Sequence, residues 1–155
     1  MTAEEYMQLA LEQAKLAFDA DEIPIGCLIV DTKSEQIIAA AHNLSQHGGD
    51  ATDHAEILCI REACKQLGQN RLWNLDMYVT LEPCTMCAAA ISFARINHLY
   101  FGAYDEKGGA VSNGVCFYDQ PTCHHKPQVD GGILEQDCAK ILKDFFQNKR
   151  KQKEE

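Results

Sequence analysis

His54-Ala55-Glu56, followed further along by Pro83-Cys84-Thr85-Met86-Cys87, decides how this chain is read. One histidine and two cysteines offer three zinc ligands, and a carboxylate stands two residues past the histidine. Three protein ligands leave the fourth tetrahedral position open for water, which marks a catalytic rather than a structural zinc. Either half alone is a weak signal; in this order, the two halves support each other.

The local chemistry suits metal binding. Cys84 and Cys87 are three residues apart at the start of an expected helix, so they share a face and lie beside unpaired backbone N–H groups. Those donors favour thiolates, the form that binds metal. Pro83 fits a helix start, where its missing N–H would have no partner anyway. His54 opens the preceding helix, so two helix N-termini converge on one ion. Glu56 is not needed as a ligand. One turn from the metal, it is placed to move protons as a general acid–base. A redox Cys-x-x-Cys pair would explain neither His54 nor Glu56, and a zinc ribbon would need a second Cys-x-x-Cys that the chain lacks. Cys123-His124-His125 invites a second metal, but adjacent residues seldom all reach one ion. Pocket lining or loop packing is the expectation there.

The 155 residues fit one domain, 1–155, large enough to bury a core without staples. No apolar run approaches the ~20 residues of a membrane span, and Glu4-Glu5 does not suit a signal peptide. The expected location is cytoplasmic, with no membrane partner. Cys27, Cys59, Cys64 and Cys138 lie in apolar segments and read as reduced core residues. A formal charge of −9 argues against a general nucleic-acid binder. The charge is uneven, however: Lys140, Lys143, Lys149, Arg150, Lys151 and Lys153 face only Asp144 between 140 and 153. A basic end on an acidic body suits a protein that touches RNA at one place, and equally a solvated helix end complementing its dipole.

Outward from the motif, Thr2-Ala3-Glu4-Glu5 is a capping box, and Met7, Ala10, Leu11, Ala14 and Phe18 recur at helical spacing. Pro24 ends that helix. Strands are expected at Ile25–Val30, Gln36–Asn43, Met77–Leu81 and His98–Gly102, with a short one at Gln128–Asp130. Helices are expected from His54 to about Leu67, from Cys84 to Ala94 and from Leu134 to Lys149. The connector from Ala103 to about Pro127 is too long and too rich in rings for a linker and is expected to wall the site. Strands joined through helices imply a sheet between helical layers.

H-x-E followed by P-C-x-x-C is the pattern of zinc-dependent nucleobase deaminases. The chain resembles the bacterial tRNA-specific adenosine deaminases of the cytidine-deaminase-like superfamily. The resemblance rests on Asp21-Glu22-Ile23-Pro24-Ile25-Gly26, Asn43, His54-Ala55-Glu56, Tyr78 to Cys87, Phe101-Gly102-Ala103 with Asp105, and Asp144-Phe145-Phe146 with Lys149-Arg150. It implies an α/β fold, three-layer α/β/α, with a five-stranded mixed sheet, one zinc per chain and a homodimer. It also implies conversion of the wobble adenosine to inosine in the anticodon stem-loop of an arginine tRNA. By the same resemblance His54, Cys84 and Cys87 would hold zinc and Glu56 would shuttle protons. Asn43 would contact the flipped base, Asp105 the sugar, and Phe145 or Phe146 would stack near the anticodon loop. Tyr104 departs from the pattern, since an arginine is familiar there. Rival readings are a free-base deaminase acting on guanine or cytosine, and a non-catalytic zinc-stabilised RNA-binding module. Phe145-Phe146 beside the lysine-rich end favours RNA over a free base, and Glu56 has no use in a non-catalytic module.

Overall fold

A computed structural model describes residues 1–154 of the chain. Four helices and five strands follow in the order α1 Ala3–Asp19, β1 Gly26–Asp31, β2 Gln36–His42, α2 Ala55–Leu67, β3 Asp76–Leu81, α3 Thr85–Phe93, β4 His98–Ala103, β5 Gln128–Asp130 and α4 Glu135–Glu154. One sheet takes the order β2-β1-β3-β4-β5. β1 runs antiparallel to β2 and β3, whereas β3, β4 and β5 are parallel.

The three layers follow from the alternation of side chains along the strands. On β1, Cys27 and Ile29 point to the face that α2 and α3 cover, together with Met77, Val79, Leu99 and Phe101. Leu28 and Val30 point the other way, with Tyr78, toward Tyr6, Met7, Ala10 and Leu11 of α1 and Cys138 of α4. Both faces are covered, so the inner strands read as unbroken apolar runs instead of alternating ones. Cys27, Cys59 and Cys138 are fully buried and Cys64 is partly so; none is in a disulfide. No helix among the described residues is long and apolar enough to cross a membrane.

Most boundaries fall within one residue of the sequence reading, and two differ by more. Thr2 caps α1 as expected, its hydroxyl accepting from the Glu5 amide, but the helix ends at Asp19, well before Pro24. α4 continues to Glu154, past the expected end at Lys149. Its last turns are lysine, glutamine and glutamate, which sustain helix without burial, and the basic residues sit at the C-terminal end of the dipole.

Register places the site. Leu81 pairs with Ala103 in the parallel β3–β4 ladder, so these two strands end side by side. Glu82-Pro83-Cys84 leaves one and Tyr104-Asp105 the other. At the same end of the sheet β1 begins, with the Asn43 amide donating to the Ile25 carbonyl. The carboxyl ends of adjacent parallel strands are where open α/β sheets form their binding crevices.

Candidate active site

His54 and Cys84 are both N-cap residues, of α2 and α3 respectively, and neither side chain caps its own helix. Each is therefore free to point away from its helix. The His54 Nδ1 lies 3.6 Å from the Sγ of Cys84 and 3.6 Å from that of Cys87. Zinc bonds of about 2.05 Å to nitrogen and 2.3 Å to sulfur, opened to the tetrahedral angle, put N and S about 3.6 Å apart. All three donor atoms fall within 4.8 Å of one another, and among the described residues no other such cluster of potential ligands occurs. Donor chemistry and spacing both fit zinc.

The electrostatics of the donor set are strongly coupled. The hydrogen bond from the Cys87 thiol, ahead of that to His54, brings the Cys84 thiol down to about 4. Cys87 moves strongly the other way, because a thiolate beside it and burial both disfavour a second negative charge. The imidazole of His54 is raised by its hydrogen bond to Cys84. Such a donor set, with a thiolate already favoured at Cys84, suits a divalent cation, whose binding releases the protons the other ligands hold. Glu56, on the first turn of α2, is buried, and that burial raises its carboxyl to about 7.

These groups open onto a cleft of about 600 Å³. Its floor includes His54, Glu56 and Cys84; its walls include Ile25, Leu81, Tyr104 to Gly108, and Ala139, Leu142 and Phe146 of α4. Asn43 is 2% exposed at the end of β2. The Asp105 carboxylate lies on the wall, with Oδ1 accepting from the amides of Lys107 (3.2 Å) and Gly108 (2.9 Å).

Phe145 and Phe146 separate, as neighbours on a helix must. Phe145 is buried, edge-on to Phe18 of α1 with ring centroids 5.6 Å apart, whereas Phe146 is 44% exposed and lines the cleft. Phe145 is therefore a core residue with no free face to stack on a base, which corrects the expectation for that ring. Leu142 and Phe146 lie four apart on one stripe that Arg150 extends, while Cys138, Ile141 and Phe145 form the inward stripe. The basic end is partly committed as well: Lys140 pairs with Asp144 at 2.7 Å, and Lys149 pairs with Asp21. Lys143, Arg150, Lys151 and Lys153 are exposed and form no ion pair among the described residues.

The long connector walls the site only in its first part. Cys123-His124-His125 instead staples the connector to α3 and to the turn that leads from it into β4. Ser92 donates to the His125 carbonyl at 2.6 Å, the His125 ring donates to the Ile96 carbonyl at 2.7 Å, and Trp73 meets that ring edge-on.

Two carboxylates escape the sequence reading. Glu82 is 2% exposed, and five N–H donors converge on it: the amides of Asp105, Val111, Ser112 and Asn113, and the Asn113 side chain. A Cβ on Gly109 would come within 2.5 Å of this carboxylate, so the wrap needs glycine there. Glu22, equally buried, accepts from the amides of Gln46 (2.9 Å) and His47 (2.7 Å) in the loop that leads to His54. Each thus ties down a loop flanking the cleft. The signal available in sequence was an acidic residue at the edge of an apolar strand segment, an expensive placement unless donors surround it.

Fold and donor set define a class, the metal-dependent hydrolytic deaminases of amino-substituted rings. The profile of the cytidine and deoxycytidylate deaminase zinc-binding region matches residues 1–103. The tRNA-specific adenosine deaminase of Agrobacterium fabrum is 55% identical over 145 residues, 94% of each chain. A solved structure from work on A-to-I editing by tRNA:A34 deaminases at the wobble position superposes with a TM-score of 0.86 at 55% identity, covering 89% of this chain and 99% of that one. A Bacillus subtilis guanine deaminase structure is more distant, with a TM-score of 0.64 at 31% identity over 83% of each chain. The chain belongs to the cytidine and deoxycytidylate deaminase family, among its tRNA-specific adenosine deaminases.

Proposed function

We infer that the protein is a zinc-dependent hydrolytic deaminase that converts adenosine to inosine at the wobble position of a tRNA anticodon. The observation that carries this reading is the cleft. A buried carboxylate beside a three-donor zinc site lies beneath a rim bearing a half-exposed aromatic ring and an adjacent basic helix end. Its relatives, named for the same activity, support it.

His54, Cys84 and Cys87 hold the zinc, which supplies the Lewis acidity that brings the pKa of water from ~15.7 toward ~7. Glu56 takes a proton from the attacking water and hands it to the ring nitrogen beside the reacting carbon. As the new C–O bond becomes a carbonyl, Glu56 passes the second proton to the amino group. The C–N bond breaks and ammonia leaves, so adenosine and water become inosine and ammonia. Asn43, buried at the end of β2, reads an edge of the flipped base, and Asp105 meets the sugar through its less committed oxygen. Phe146 stacks on a neighbouring base of the loop, while Arg150 and the lysines beyond it meet phosphates.

We assign an arginine tRNA as substrate on the strength of the family resemblance, and a homodimer on the same ground. Phe93 at the end of α3, 68% exposed, is an apolar ring that such an interface would cover. A tRNA substrate places the work in the cytoplasm. The test is ammonia release from an arginine-tRNA anticodon stem-loop, free guanine and free cytosine, offered separately to the zinc-loaded protein. Turnover of the stem-loop with inosine at the wobble position is expected. Faster release from guanine than from any stem-loop would replace this reading with a free-base deaminase.

A further inference from the structure

We propose that Tyr104 is a second stacking surface at the mouth of the cleft, holding a base that flanks the flipped adenosine. This rests on the RNA deaminase reading above. Tyr104 immediately follows β4, directly before Asp105, and lines the same cleft as His54 and Glu56. Its ring is 44% exposed. It is nevertheless held in place: it stands edge-on to the buried Phe101, with centroids 5.0 Å apart and planes at 87°. Gly131 makes room for it, since a Cβ there would come within 2.4 Å of Phe101 and 2.7 Å of the Tyr104 hydroxyl. A positioned ring with an open surface costs little further entropy when a base stacks on it.

Charge selects the base rather than the backbone. Asp105, Glu106 and Lys107, the three residues after Tyr104, all line the cleft and carry a net charge of −1. This part of the rim repels phosphate, so what it can take from RNA is the uncharged face of a base. On α4, by contrast, Lys143, Arg150, Lys151 and Lys153 are exposed and form no ion pair among the described residues.

Tyr104 and Phe146 cannot grip the same nucleotide. Tyr104 lies beside Gly132, just before α4 begins, with its ring 3.8 Å from the position of a Cβ there. Phe146 is eleven residues beyond Glu135, about 16 Å along the helix. The two rings therefore stand at separated positions on the cleft wall, and each takes a different base.

The test uses the full zinc-loaded protein and wobble-adenosine stem-loops, intact or abasic at the nucleotide on one side or the other of the adenosine. Tyr104→Ala is expected to raise KM for the intact loop about tenfold, with kcat little changed, as loss of one stacked base should. One abasic loop should show the same loss with the wild type and no further loss with Tyr104→Ala. Tyr104→Phe should restore the wild-type KM. Tyr104→Leu, which keeps cover over Phe101 but removes the aromatic surface, should behave like the alanine variant even if the latter melts early. A KM unchanged by both Tyr104→Ala and Tyr104→Leu, or an equal added loss on both abasic loops, would overturn the proposal alone. A wild-type enzyme that turns over free guanine and no stem-loop would overturn the reading beneath it as well.

Discussion

Replacing Glu82 by glutamine keeps the size of the side chain and removes its charge. In the native structure the amide of Asp105 (3.0 Å) and the Asn113 side chain (2.8 Å) donate to Oε1, and the amides of Val111, Ser112 and Asn113 (2.9–3.1 Å) to Oε2. A glutamine must turn its NH2 toward one of these sets and does least harm facing the pair. Asn113 can flip to offer its carbonyl, but the Asp105 amide loses its acceptor, and three bonds to a charged group become bonds to a neutral one. Hydrogen bonds to charged groups contribute roughly 1.5–3 kcal/mol and neutral ones about 1. The sum, reduced because the loop can turn toward water, is a loss of about 3 kcal/mol. In a chain of this size that lowers the melting temperature by roughly 6–12 °C.

The sign of the pH dependence is fixed. Burial pushes the Glu82 carboxyl up, but the donors from Asp105, Asn113, Ser112 and Val111 outweigh it and hold the group below its ordinary 4.5. A carboxyl depressed in the folded state stabilises fully above the unfolded value and ceases to as pH falls through the folded one. Melting of wild type and Glu82→Gln between pH 7 and 3 should therefore show a gap that is full at pH 7 and closes in acid. Because the wrapped loop carries Asp105, KM for the stem-loop should also rise while zinc is retained. A gap absent at pH 7, or one that persists unchanged to pH 3, would refute the claim that this charge organises the loop.

Glu56→Ala should retain zinc and the melting profile yet lose most turnover, about 10²–10⁴-fold for one general acid–base; activity within tenfold of wild type would assign the proton transfers elsewhere. Cys84→Ala should lose zinc by elemental analysis and lower the melting temperature, because the metal joins the starts of α2 and α3. Phe145→Ala and Phe146→Ala should differ although adjacent. The first removes a buried ring and should cost about 3 kcal/mol in denaturant melts, while the second should leave stability within about 0.5 kcal/mol and raise KM for the stem-loop.

His54, Glu56, Cys84 and Cys87 were legible in the sequence because their relation is local. Each pair sits within one turn of a helix start, where residue type and offset already fix direction and chemistry. The strands were legible for a similar reason, since β1, β3 and β4 are covered on both faces and read as apolar runs ended by turns. What lay out of reach depended on distance in space. Nothing in Leu81-Glu82-Pro83 says that the carboxylate will collect donors from residues 105 to 113; that follows from the parallel pairing of Leu81 with Ala103, which sets the two strand ends together. Nor could spacing say which of Phe145 and Phe146 faces inward, because adjacent helical positions differ by about 100° and only the docking of α4 on α1 selects the ring that Phe18 receives. Sequence by itself determined the chemistry and the layered fold, through short-range geometry. The tertiary structure decided which side chains wall the cleft, because that depends on the register of strands far apart in the chain.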